Sequence, residues 1–169
     1  MPKPSPTTYA TYFERYVDQV PENDLMPAFK NQTAGIQDFL GSITEEKSTY
    51  AYAEGKWTIK ELLMHIIDAE RIFNYRALCF ARGEKINLPG FEEDDYAANS
   101  YANSRSWKSL IDEFLAVRRS TELMFENFDK AVINNSGLSN NNPNTVASLG
   151  FIAVGHYNHH KKILMERYL

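Results

Sequence analysis

Apolar side chains recur along this chain at intervals of three and four. The runs that carry this rhythm are cut at Pro21, Gly41, Gly55, the stretch from Gly83 to Gly90, and the asparagine-rich run 134–144. Such spacing places side chains on one face of an α-helix, whereas strict alternation marks a half-buried strand. Tyr9, Tyr12, Phe13, Tyr16, Val17 and Val20 share one face and predict a short lead-in helix closed by Pro21. Leu25, Phe29, Ile36, Phe39 and Leu40 predict the next helix, with Asn23 or Asp24 as its N-cap and Gly41 at its end. Thr58 and Glu61 read as a capping box, with Trp57 and Leu62 at the staple positions. That helix is predicted to run to about Arg82, where Gly83 caps it. A further helix runs from Ser106 to about Phe128, with Trp107, Leu110, Ile111, Phe114, Met124 and Phe125 along one face. The segment 134–142 reads as a polar loop, and a last helix runs from Asn144 or Thr145 to the C-terminus. No segment reads as a strand, because the best apolar candidate, Phe151 to Val154, lies inside a longer helical period. Four long helices with short extra N-terminal and connecting helices predict an all-α, four-helix bundle.

Composition narrows the class. The chain has 169 residues, 43% of them apolar and 13% aromatic, enough for one core-bearing domain over 1–169 and too much for a disordered chain. Eighteen basic residues against 22 acidic ones leave a net charge of −4, which argues against a nucleic-acid partner. Cys79, the one cysteine, excludes an internal disulfide framework and a cysteine-rich zinc module, and it reads as a small core residue. The start Met1-Pro2-Lys3-Pro4-Ser5-Pro6 lacks the apolar region of a signal peptide, and no run approaches the ~20 apolar residues of a membrane span. The expectation is a soluble, reduced, cytoplasmic protein without a membrane partner. There is no glycine-rich phosphate loop and no Gly-x-Ser-x-Gly elbow.

The histidines carry the chemistry. His65 lies on the helix that starts at Thr58, and His156, His159 and His160 lie on the last helix. At about 100° per residue, Leu149, Ile152, Ala153, His156, His160 and Ile163 share one sector. His156 and His160 thus stand one turn apart on the core-facing stripe, with His159 at its edge. Two imidazoles at this spacing can close on one divalent ion, and a third from a facing helix leaves positions open for water or substrate. With no thiolates, an ion such as Zn²⁺ or Ni²⁺ fits this donor set, while Ca²⁺ and Mg²⁺ seek oxygen. The competing account is that inward histidines are satisfied core residues.

Glu70 falls within the apolar face of Ile59, Ile66, Phe73 and Ala77, so its carboxylate needs a partner. Arg76 or Arg118 would make it an ion pair. Otherwise it is a candidate catalytic base, or an acceptor that orients a ligand histidine. Asp68 points off that face and is expected to be solvated.

The segment from Trp57 to Arg71, with its Trp-Thr start, His65, Asp68 and Glu70, resembles a signature of the DinB/YfiT-like superfamily. Tyr75-Arg76 to Leu88-Pro89-Gly90-Phe91 resembles the family's continuation, and Gly155-His156-Tyr157-Asn158-His159-His160 its last-helix His-x-x-x-His. The resemblance implies a four-helix bundle holding a divalent metal through His65, His156 and His160, with His159 outside the ligand set. It implies a metal-dependent transferase or hydrolase acting on a small molecule. Family members include low-molecular-weight-thiol S-transferases and a mycothiol-dependent isomerase. The alternative is a non-catalytic, stress-related bundle that binds a small molecule or partner and holds the metal structurally. A homodimer is the expected assembly. The DNA polymerase that shares the family's name does not share its fold.

Overall fold

The computed structural model describes residues 1–169, and its helices begin where side-chain oxygens meet the N–H groups that a first turn leaves free. The chain runs through α1 (Glu14–Val17), α2 (Leu25–Gly41), α3 (Glu45–Ser48), α4 (Ile59–Ala81), α5 (Glu93–Asn99), α6 (Trp107–Glu126) and α7 (Val146–Ile163). A two-stranded hairpin, β1 (Ser136–Ser139) and β2 (Asn142–Thr145), precedes α7. Asp24 caps α2 and Ser106 caps α6. At α4 the capping box is complete: Glu61 N donates to Thr58 Oγ1 at 3.1 Å, and Thr58 N donates to Glu61 Oε2 at 2.8 Å. Thr145 and Ser148 form a second box at the head of α7. No helix is long and apolar enough to cross a membrane.

The long helices α2, α4, α6 and α7 form the four-helix bundle. Both α4 and α2 pack against α6 and α7. Helices consecutive in sequence, α2 with α4 and α6 with α7, therefore stand on diagonals, and their links cross the ends of the bundle. The link between α4 and α6 folds α5 back onto α4. This connectivity brings α4 and α7 into the most extensive contact in the fold, face to face along their length.

Two departures from the sequence reading stand out. The lead-in segment is not one helix. It consists of 3₁₀ turns at Pro6–Thr8 and Thr11–Phe13 and the single turn α1. Tyr9 is extended because it bridges to Asn144 of the hairpin. The second correction is the hairpin itself, in place of the predicted polar loop. It shows no apolar alternation because turn chemistry and packing hold it. Asn140 and Asn141 adopt φ of 49° and 60°, as a two-residue hairpin turn demands and as asparagine tolerates. Gly137 packs against the Phe80 ring, to which an added Cβ would come within 2.2 Å.

Apolar clusters fill both halves of the bundle, one around Phe29, Phe80 and Phe151, the other around Leu63, Phe114 and Tyr157. Arg118, fully buried, lies between them. Its Nε and Nη2 donate to the two oxygens of Glu70 at 2.9 and 2.8 Å, and its Nη1 donates to Gln32 Oε1. Thr121 Oγ1 donates to Glu70 at 2.7 Å, and Gln32 Nε2 donates to Val154 O at 2.8 Å. One polar layer thus ties α2, α4, α6 and α7 together.

On the outer side of α7, α1 approaches closely enough that a Cβ at Gly155 would lie 2.0 Å from the Tyr16 carbonyl oxygen. Only glycine admits this contact. It seats the Tyr16 ring edge-on against His156, with centroids 5.2 Å apart.

Candidate metal centre

The α4–α7 contact buries three histidines together. His65 follows two turns after the α4 cap, and His156 and His160 sit one turn apart on α7. His156 Nε2 lies 3.1 Å from His65 Nε2 and 3.1 Å from His160 Nε2. The three ligand-capable nitrogens all lie within 4.8 Å of one another. Rings wall them in: Trp57 is 4.8 Å from His65 and Phe73 is 5.6 Å from His156, centroid to centroid.

Hydrogen bonding alone leaves this arrangement incomplete. A ring nitrogen carries either one proton or one lone pair. His156 Nε2 therefore cannot donate to both neighbours, nor accept well from both. His160 Nδ1 is buried without any partner. Three neutral imidazoles turned toward one point are a donor set that fits a divalent cation, with coordination positions left over. No carboxylate contacts His160 Nδ1, so packing rather than a hydrogen bond orients that ring.

Burial sets the protonation states. It pushes the His65 pKa down to about 4, with Asp94 partly offsetting the effect. It pushes His160 down to about 3, helped by the neighbouring imidazoles, and His156 well below the ordinary range. All three imidazoles are therefore uncharged at neutral pH, each keeping one nitrogen lone pair. A stability consequence follows for the metal-free protein. Unfolded histidines protonate near pH 6.5, whereas these remain neutral in the fold down to about pH 4. Between those values the unfolded chain binds more protons, so stability falls as the pH falls. Urea unfolding of chelated protein from about pH 7.5 to about pH 4.5 should show this decline. A variant with glutamine at all three positions should show a shallower one, and equal slopes would refute the account.

Two cavities open onto the cluster. One of about 420 Å³ has His65 and His156 in its wall and the aromatic rings of Tyr12, Phe13, Tyr16, Phe73 and Phe91 around it. Arg76, Glu93, Ser139, Asn140 and Asn142 supply its polar groups. The other, of about 300 Å³, reaches His160 and is lined by Trp57, Lys56, Asp94, Arg167 and Tyr168. Helix α5 straddles the two, with Glu93 on the first and Asp94 on the second. The sequence reading missed both carboxylates. Their signal was the acidic run 92–95 just after Pro89-Gly90, which composition alone assigns to a solvated turn.

The other singled-out residues lie elsewhere. Both oxygens of Glu70 are engaged by Arg118 and Thr121, and no histidine nitrogen is among its partners. Arg118, rather than Arg76, is its ion-pair partner. Asp68 is half-buried rather than solvated and lies 3.7 Å from Arg71. Cys79 is half-buried at the far end of α4, away from the cluster. His159 turns outward, its Nδ1 3.2 Å from Gln19 Nε2.

A family model described as the DinB superfamily matches residues 28–164. The fold is similar to that of YfiT from Bacillus subtilis, described as a probable metal-dependent hydrolase with an unusual four-helix bundle topology. The TM-score is 0.74 at 12% sequence identity, over 84% of this chain and 82% of that one. At that identity the likeness speaks for the fold. No curated protein is significantly similar in sequence. The family match embraces α4, α6 and α7, the hairpin and nearly all of α2, and with them every histidine of the cluster; this chain belongs to the DinB superfamily.

Proposed function

We propose that this chain is a metal-dependent enzyme acting on a small molecule, with one divalent ion, zinc or nickel, held by His65, His156 and His160. The observation that carries this reading is the convergence of three buried imidazoles, two of them in the wall of one cavity and the third in the wall of another. A purely structural site would close its coordination with protein ligands, and only three are offered here. An ion at this position supplies Lewis acidity and lowers the pKa of a water or thiol that it binds.

The protein's own residues do the rest. The aromatic wall of the larger cavity excludes bulk water from the substrate. Burial raises the Tyr16 hydroxyl pKa well above its usual value, so that group stays protonated as a hydrogen-bond donor. Asp94, whose charge acts on His65, stands at the second cavity, where its carboxylate can accept a proton. Glu70, held by Arg118, serves the framework.

Hydrolysis is the reaction we infer, in keeping with the description of YfiT. One feature favours a second reading. Two separate cavities reach the cluster, one at His65 and His156 and the other at His160, an arrangement suited to two reactants, such as a low-molecular-weight thiol and an electrophile. Purified protein should contain about one divalent ion per chain. Chelation should abolish turnover of p-nitrophenyl esters, or thiol consumption with an electrophile such as chlorodinitrobenzene, and zinc or nickel should restore it. Turnover in one assay and not the other chooses between the readings. Protein that takes up neither metal would overturn both.

A further inference from the structure

Arg76 follows Phe73 by one turn on α4 and is only 5% exposed. A buried guanidinium is ordinarily met by a carboxylate. Arg118, the other deeply buried arginine, is met in this way by Glu70. Arg76 forms no ion pair. Its one protein hydrogen bond runs from Nη2 to the carbonyl oxygen of Pro89, at 2.9 Å. A guanidinium carries five N–H donors, so most of its capacity is unused. Burial pushes its pKa down, and no neighbouring charge compensates. The side chain lines the cavity that has His65 and His156 in its wall.

We propose that Arg76 binds a carboxylate group of the substrate and so holds the rest of the molecule across the His65–His156 face. The inference rests on the reading above that this cavity takes the substrate. No carboxylate of the protein pairs with the charge, and a ligand anion would supply charge-assisted hydrogen bonds in a desolvated setting. The surroundings point to a monoanion. The cavity wall holds a single guanidinium, the neutral polar residues Ser139, Asn140 and Asn142, and the exposed Glu93. A phosphate dianion would outweigh the one positive charge and meet repulsion from Glu93. Phe13, Phe73 and Phe91 offer an apolar wall for the body of the molecule. The ligand class is therefore a small carboxylic acid with an aromatic or apolar body.

Benzoate is the probe, with benzamide as its neutral counterpart and inorganic phosphate as the competing anion. Binding is measured calorimetrically on chelated and on metal-loaded protein, so that direct metal–carboxylate contact is separated from binding by Arg76. Chelated wild-type protein should bind benzoate, and should bind benzamide and phosphate at least about tenfold more weakly. Arg76→Met should lose about tenfold or more in benzoate affinity, and Arg76→Lys should retain part of it. Arg76→Met should also melt no lower than the wild type, because it removes a buried charge that no protein group pairs.

Equal benzoate affinity in wild type and Arg76→Met overturns the inference, as does absence of benzoate binding by chelated wild-type protein or a preference for phosphate. Benzoate binding that appears only with metal and ignores Arg76 overturns it and leaves the metal-enzyme reading intact. Binding that depends on Arg76, in a protein that takes up no metal, upholds the inference while that reading fails.

Discussion

Replacing His156 or His160 with alanine is expected to reduce bound divalent metal from about one ion per chain to a trace, and to abolish metal-dependent turnover. His156 is the sharper test because its Nε2 is the nitrogen shared by both 3.1 Å contacts. Two ligands on one helix turn, or one on each helix, leave an ion mostly held by water. Even loss of a group that merely supports a ligand costs about 10–100-fold in affinity, and loss of a ligand costs more. His65→Ala should behave in the same way. His159→Ala should keep its metal, since that ring faces Gln19. The fold should survive each change, because the core is built without the ion and removing an unsatisfied buried imidazole relieves a desolvation cost. Elemental analysis of the purified variants, with circular dichroism as the check on helicity, measures all of this. Full metal content in both His156→Ala and His160→Ala would remove the basis of the functional reading.

The largest effect on stability is expected at Arg118, far from any chemistry. Arg118→Ala should cost about 3–5 kcal/mol, because it strands the Glu70 carboxylate in the core with only the Thr121 hydroxyl bonded to it and leaves Gln32 Oε1 without its donor. Arg118→Lys should recover little, since an ammonium cannot make two parallel bonds to one carboxylate while also reaching Gln32. Replacing both charges, as Arg118→Met with Glu70→Leu, should restore most of the loss, since two well-packed apolar residues carry no desolvation cost. Urea unfolding measures the three variants. A loss below about 1 kcal/mol for Arg118→Ala would mean that water reaches Glu70 in the variant and that the layer does not hold the bundle together.

Helix starts and the facing of the histidines were legible in the sequence because both are local. Thr58 and Glu61 interact across three residues, and His156 and His160 across four, so one helical turn settles each relation whatever the rest of the chain does. The burial of Glu70 was legible for the same reason, as a carboxylate on an apolar stripe.

The tertiary structure alone decided the relations between segments far apart in the chain. Arg76 and Arg118 both qualified as partners for Glu70. Packing of α6 across α4 assigned Arg118 to it, and that choice leaves Arg76 unpaired in the cavity wall. The hairpin could not be read because its cohesion comes from Phe80 above Gly137 and from backbone pairing with Leu88, over fifty residues away. Glu93 and Asp94 looked like any acidic turn until α5 folded back over α4. The meeting of His65 with His156 and His160 depends on the diagonal connectivity that sets α4 against α7. Periodicity determines which face of a helix is buried; which other helix buries it is set by how the connecting segments cross, and no local interaction encodes that.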